Sequence, residues 1–321
     1  MKIRVDEEDD HAMAQGISYF PGRKAGIEDM HTQTELTDKQ IAFIGAGSMA
    51  EALIRGLCQT GIANSQQIAV TNRKSRDRLA WIKETYGVSI YPDMRDTVWS
   101  ADIIVLCTKP RDLHRALSAV AKHASPDALY LSVAAGCTIA GIADTIAAHR
   151  PEGQYGALPR VVRTMPNTSC AVLESATAYA LSATCTEADR RMVETILSAV
   201  GSAYPVEEHL LNAVTGLSGS GPAYVYYLVE AMTSAGIDAG LDEQTASSMV
   251  AQTLYGAARM LQSSGQSPAF LRERVTSPGG TTFAGISALD QHGFSTAVMH
   301  AVRSATVRAE QLGQELTEQK L

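Results

Sequence analysis

Between residues 39 and 206 short apolar β-segments alternate with segments of helical period, and beyond that the β-signal stops. No other feature restricts the fold as much. "KQIAFI" (39–44) reads as a strand running into "GAGSMAEALIRGLCQTG", where Met49, Leu53, Ile54 and Leu57 recur at helical spacing and Gly61 closes the helix. "QIAVTN", "VSIY", "ADIIVLCTKP" and "ALYLSVAAG" read as further strands. Helical patterns fall on "KSRDRLAWIKETYG" and "TIAGIADTIAA". "RVVRTMPNTS", "ATAYAL", a helix over 186–199 and "SAYPV" finish the domain near residue 205. Strands that alternate with helices predict an α/β fold, a doubly wound parallel sheet covered on both faces.

Residues 206–321 predict an all-helical second domain, with helix-compatible patterns at 207–215, 220–236, 242–264, 268–274, 283–292 and 294–313. The segment "SGPAYVYYLVEAMTSAG" is apolar nearly all round, as in a helix covered on every side. A helical domain of this size is small for burying it alone. A dimer interface would cover it, and a central helix within one subunit is the alternative.

At 321 residues the chain has room for these two domains. A net charge of −7 gives no general reason to bind nucleic acid or an anionic membrane, and no apolar run approaches the ~20 residues that span a bilayer. Five cysteines without a Cys-x-x-Cys pair read as reduced thiols of a cytoplasmic protein, neither a disulfide frame nor a metal site. Residues 1–38 form an acidic, polar leader without the pattern of a signal peptide; Met13 and Met30 offer internal starts, and the leader is set apart from the fold. Trp81 and Trp99 are expected to fill helix-packing positions, and Met232, Met249 and Met260 core or interface positions.

The chemistry begins at Gly45-Ala46-Gly47-Ser48-Met49-Ala50, a G-x-G-x-x-A between a strand and a helix. The first glycine permits the tight turn, and the second lets the backbone approach a pyrophosphate at the helix N-terminus. A dinucleotide is the implied ligand. Thr71-Asn72-Arg73-Lys74 ends the second strand, with no carboxylate before Asp77. Two cations and an amide suit a ribose 2′-phosphate, so NADPH is favoured, with NADH as the other candidate; a solvated basic turn is the plain alternative. Lysines stand at 2, 24, 39, 74, 83, 109, 122 and 320, so none falls within the helical patterns of 207–313 to serve as the proton donor of a 3-hydroxyacid dehydrogenase. A substrate that is already a protonated imine needs little acid catalysis. "TSPGGTT" (276–282) then becomes relevant, because glycines before a helix expose backbone N–H groups suited to a carboxylate, and Thr281 and Thr282 add hydroxyls. Spacing alone does not separate this site from an ordinary connector.

Taken in order, "FIGAGSMAEALIRGL", "CTKP", "SVAAGCTI", "RTMPNT", "AVTGLSGSGPAYVYYLVEA" and "VTSPGGTT" resemble the pyrroline-5-carboxylate reductase family over about residues 39–313. The resemblance implies NAD(P)H-dependent reduction of the C=N bond of 1-pyrroline-5-carboxylate to L-proline. It implies that Gly45, Ala46, Gly47, Ser48 and Met49 hold the pyrophosphate while Asn72 and Arg73 face the adenine ribose. Thr108, Lys109 and Pro110 would line the dinucleotide path with Ala134, Ala135 and Gly136, and Met165, Pro166 and Asn167 would lie near the nicotinamide. Ser277, Gly280, Thr281 and Thr282 would bind the substrate carboxylate. Thr282 would also hydrogen-bond the ring nitrogen, and Glu208 would lie close to the substrate. The family's helical domain forms an interwoven dimer, often assembled further into a decamer. Met94 after Asp93 departs from an asparagine common in the family. A reductase of another cyclic imine or small acid is the nearest rival; a non-catalytic NADP-binding redox sensor would have no use for an intact SPGGTT loop.

Overall fold

The computed structural model describes residues 35–151 and 158–318, so most of the predicted leader lies outside the described residues. The first domain runs β1 (Ile41–Ile44), α1 (Ser48–Gln59), β2 (Ile68–Thr71), α2 (Arg76–Tyr86), β3 (Ser89–Ile90), α3 (Met94–Val98), β4 (Ile103–Leu106), α4 (Pro110–Val120), β5 (Leu129–Ser132), α5 (Ile139–His149), β6 (Arg160–Met165), β7 (Ser175–Leu181), α6 (Glu187–Ser198) and β8 (Gly201–Pro205). The helical region follows as α7 (Leu211–Val214), α8 (Gly221–Asp238), α9 (Glu243–Ser264), α10 (Pro268–Arg274), α11 (Thr281–Gln291) and α12 (Phe294–Glu318).

The strands form one sheet in the order β3-β2-β1-β4-β5-β6-β7-β8. Alternate side chains of each strand enter different cores. Ile41 and Phe43 join α1, α2 and α6 on one face, whereas Ala42 and Ile44 join α4 and α5 on the other. Helix α4 is absent from the expected pattern, although Pro110 at its first position pre-sets the helical φ there.

The sheet is parallel, as the sequence predicts, except at one pair. β7 runs antiparallel to β6, while the other neighbouring pairs are parallel. Residues 166–174 between them hold only a short 3₁₀ turn (Thr168–Val172), too little chain for the crossover a parallel return requires. Asp189 is fully buried in α6, where it accepts from the Thr186 backbone N–H (2.8 Å) and from Arg160 Nη1 (2.7 Å). A carboxylate so enclosed persists because both its charge and its lone pairs are met.

The fold also takes in residues upstream of the expected boundary at 39. The turn Glu35–Asp38 carries Leu36, which is fully buried among α1, α2 and α6 residues. Gln67 Nε2 donates to the Leu36 (2.6 Å), Thr37 (3.0 Å) and Lys39 (3.0 Å) carbonyls. The tryptophans differ from expectation as well. Trp81 is 41% and Trp99 66% exposed, each beneath a guanidinium, Arg78 and Arg95 respectively. Such rings act as platforms for a cation rather than as core filling.

The described chain divides into two compact units, residues 35–226 with 296–318, and residues 227–295; the boundaries fall inside α8 and near the start of α12. None of the α8 residues is buried in the single chain, and Tyr226 and Tyr227 are largely exposed. Met232, Met249 and Met260 are exposed too, which leaves the interface half of their expectation and removes the core half. No described helix is long and apolar enough to cross a membrane.

Leu36→Ala should cost about 3 kcal/mol of stability, the usual range for truncating a buried leucine. The midpoint of urea unfolding measures it. An unchanged midpoint would show that the turn before β1 is not part of the folding unit.

Candidate active site

Helix N-termini leave backbone N–H groups without intrahelical partners, and side chains usually cap them. Ser75, Asp93, Thr138, Thr186, Asp242 and Ser267 do so for α2, α3, α5, α6, α9 and α10. Three helices that start at the predicted motifs have no capping side chain: α1 behind Gly47, α4 behind Lys109 and α11 behind Gly280. An uncapped N-terminus offers amides and a positive dipole end to an anion.

The first two of these ends border one cavity of about 570 Å³ at the carboxyl ends of β1, β2 and β4. Gly45, Ala46, Gly47, Asn72, Arg73, Thr108 and Lys109 line it, so seven of the predicted cofactor residues share a single cleft. Gly45 has φ +110°, and a Cβ there would stand 2.7 Å from the Cys107 carbonyl oxygen. Only glycine lets the β1–α1 turn lie this close to the end of β4. Beside Gly47 a Cβ would meet nothing within 4 Å, so that stretch of backbone opens onto free space. Thr108 Oγ1 is buried without a hydrogen-bond partner. Bare backbone beside Gly47, an orphaned hydroxyl and the cations Arg73, Lys74, Lys109 and Arg115 fit an adenine dinucleotide with a 2′-phosphate.

The glycine loop is held from α2. Arg78 Nε donates to the Ala46 carbonyl at 2.9 Å, Arg78 Nη2 pairs with Glu51, and the guanidinium lies 4.5 Å above the Trp81 ring. Sequence reasoning missed this clamp, although Arg78 and Trp81 three residues apart on a helix are the pattern that produces it. Met94 lines the cleft where the family's asparagine was expected, and Asp93 accepts from the Arg95 N–H as the cap of α3. Burial pushes the Cys107 thiol far above its ordinary range, which makes it an inert neighbour of the cleft.

Lys109, Pro110, Ala135 and Gly136 line a second cavity of about 550 Å³, together with Thr215, Ser220 and Arg308. Its far wall comes mainly from α12, through Ala305, Arg308 and Leu312, with Thr215 and Ser220 from either end of "TGLSG" (Thr215–Gly219), a π-turn that joins the helical patterns expected at 207–215 and 220–236. Gly216 is the reason it fits, because a Cβ there would fall 2.3 Å from Thr306 Oγ1 and 2.6 Å from the Val302 carbonyl oxygen. Ser48 and Met49 begin α1, but neither they nor Ala134, Met165, Pro166 and Asn167 line the two cavities. Asn167 Nδ2 donates to the Ser218 carbonyl (3.1 Å), so it anchors the π-turn to β6. Glu208 Oε1 accepts from the Ile139 N–H (2.7 Å) and from Arg163 Nη1 (3.3 Å), tying the start of α5 to β6.

The remaining predicted residues lie in the unit 227–295. Ser277-Pro278-Gly279-Gly280 forms a β-turn closed by the Gly280 N–H to Ser277 carbonyl bond (3.0 Å), with Gly279 at φ +71°. The turn delivers the chain to the uncapped start of α11, where Thr281 and Thr282 are its first two residues, both exposed. Three free amides and two hydroxyls at one helix end can receive a carboxylate.

Comparison with known proteins bears on these features together. Residues 208–312 match the family model described as pyrroline-5-carboxylate reductase dimerisation, and residues 40–136 match the model NADP oxidoreductase coenzyme F420-dependent. Pyrroline-5-carboxylate reductase 2 of Bacillus subtilis is 41% identical over 274 residues, 85% of this chain and 95% of that protein. The solved pyrroline-5-carboxylate reductase of Coxiella burnetii is 34% identical, with a TM-score of 0.78 over 85% of this chain and 98% of that one. The Plasmodium falciparum pyrroline carboxylate reductase, solved with NADP bound, is 25% identical, with a TM-score of 0.74 over 86% and 98%. A glycine cleft of this form, a helical region carrying the dimerisation segment and relatives matched over nearly their full length place the chain in the pyrroline-5-carboxylate reductase family.

Proposed function

We propose that the chain is an NAD(P)H-dependent oxidoreductase that reduces 1-pyrroline-5-carboxylate to L-proline, the last step of proline synthesis. The observation that carries this reading is the coincidence of uncapped helix ends with the family's motifs: α1 and α4 at the dinucleotide cleft, and α11 behind SPGG. A fold needs no such ends, and both reactants carry anions that would meet them.

In this reading the α1 amides behind Gly45–Met49 receive the pyrophosphate, Asn72 and Arg73 receive the adenine ribose, and Thr108 satisfies its buried hydroxyl on the dinucleotide. Lys109, Pro110 and Ala134–Gly136 continue the path along the strand ends, while Met165, Pro166 and Asn167 support the nicotinamide end. The bound nicotinamide supplies a hydride to the imine carbon. Ser277, Gly280 and Thr281 hold the substrate carboxylate, and the Thr282 hydroxyl oxygen accepts from the ring N–H. The C=N π-electrons move onto that nitrogen, which already carries its proton in the iminium form, so no strong acid is required. Catalysis by these residues is orientation and electrostatic placement.

The family's dimerisation segment makes the chain a homo-oligomer, and we assign its smallest unit to a dimer covering the open apolar face of α8, with a decamer as the larger assembly. Cysteines kept as thiols and a reduced nicotinamide suit a reducing compartment, and we assign the enzyme to the cytoplasm.

Thr282→Ala should lower kcat about tenfold or more while leaving NADPH affinity intact, as expected for one lost hydrogen bond to a polar reacting centre. NADPH oxidation with pyrroline-5-carboxylate measures the first and fluorescence titration the second. Full turnover would remove Thr282 from the mechanism. Arg73→Ala should raise the KM for NADPH about tenfold or more, the cost of a charge-assisted bond, and leave that for NADH nearly unchanged. Equal effects on both would place the 2′-phosphate elsewhere. Sedimentation equilibrium should return a dimer or a larger even-numbered species; a stable monomer would contradict the assignment of α8.

A further inference from the structure

The cation best placed for a 2′-phosphate is already engaged. Arg73 Nη2 stands 3.3 Å from Asp112 Oδ1, and Arg115 Nη2 stands 2.5 Å from the same oxygen. Asp112 lies in the first turn of α4, lines the dinucleotide cleft and is only 24% exposed, less than half as much as either arginine. Four cations, Arg73, Lys74, Lys109 and Arg115, line the cleft with one carboxylate, Asp112. That carboxylate sits on the guanidinium the phosphate would use.

From this we infer that Asp112 is a cofactor-selectivity residue, whose carboxylate competes with the 2′-phosphate for Arg73 and so narrows the preference for NADPH over NADH. The inference rests on the cofactor reading given above and deepens it. Two effects of Asp112 oppose each other. It orients Arg73, which would help a phosphate, and it places a negative charge beside a ligand group that carries nearly two. The second effect is larger. Arg73 is more than half exposed, and an exposed pair of this kind contributes little to holding an arginine in place. Repulsion between a carboxylate and a phosphate across a few ångströms scales with the doubled charge and is strengthened by partial burial. NADH has no such group and is indifferent to the exchange. Arg115 is the partner that retains Asp112 when Arg73 turns to the phosphate.

The test uses the whole protein and two fragments, adenosine 2′,5′-bisphosphate and 5′-AMP, titrated by calorimetry at fixed ionic strength. Asp112→Asn keeps the shape and removes the charge. It should tighten the bisphosphate about tenfold, leave 5′-AMP within about twofold and lower the KM for NADPH in step, magnitudes set by one screened charge pair. The gain should vanish in the Arg73→Ala/Asp112→Asn double variant. Asp112→Ser, a residue accepted in the first turn of a helix, serves if the amide variant loses its circular dichroism spectrum. Unchanged or weaker bisphosphate binding would overturn the inference and make Asp112 an orienting partner of Arg73. Equal tightening of both fragments would overturn it too, as a general field effect. Wild-type protein that fails to bind the bisphosphate at all would instead sink the cofactor reading itself.

Discussion

The approach of the β1–α1 turn to the end of β4 is the constraint on which the dinucleotide cleft depends. With the Gly45 Cβ position only 2.7 Å from the Cys107 carbonyl oxygen, any side chain would drive these two backbones apart. Their closeness brings the uncapped starts of α1 and α4 to the border of one cavity. Neither helix end is stabilised from within the chain by a cap, as its neighbours are, so the geometry favours the bound state over the free one. Arg78 reinforces it by tying the Ala46 carbonyl to Glu51 and stacking on Trp81. A cation held between a carboxylate and an aromatic face keeps its orientation at low entropic cost.

Much of this arrangement was legible in the sequence, for physical reasons specific to each element. A parallel sheet buried on both faces writes near-continuous apolar runs such as "IAFI" and "IIVL", and G-x-G-x-x-A can hardly stand between strand and helix for another purpose. Helix α4 was legible too, though absent from the expected pattern: Leu113, Leu117 and Val120 recur at i, i+4 and i+7 behind Pro110, the period of an amphipathic helix. The antiparallel β7 was hidden. Strand direction depends on how much chain connects two strands, and the link 166–174 carries its turn signal only at Pro166-Asn167, inside "RTMPNT".

The helical region was read correctly in outline and less so in detail. Periodicity identifies an apolar helix but cannot say what covers it, and α8 is open to solvent in the single chain. The π-turn at "TGLSG" has the same origin. Its register follows from the room Gly216 leaves for Thr306 and Val302, and that tertiary fact has no local signature. The glycines of this motif therefore had a visible presence and an invisible purpose. Trp81 shows the reverse, since a large ring suggests core packing until its neighbour Arg78 is seen bonded to the glycine loop.

Which polar groups around the cleft are engaged within the chain, and which are not, separates scaffold from site. Glu208 and Arg163 bond to each other, and Glu208 also to the start of α5; Asn167 holds the Ser218 carbonyl; Arg78 holds Ala46 and Glu51. These residues fix elements in place, and a ligand gains from them mainly through that rigidity. Thr108 Oγ1 and the amides behind Gly47 are in the opposite condition, since no side chain satisfies them. Thr108 Oγ1 is buried, and a buried hydroxyl without a partner carries a desolvation cost that a bound ligand can offset, so it returns more binding free energy than groups already bonded. Arg73 stands between the two classes. It has a partner in Asp112, but a partially solvated one shared with Arg115, and the cost of leaving that partner separates a phosphate-bearing dinucleotide from one without.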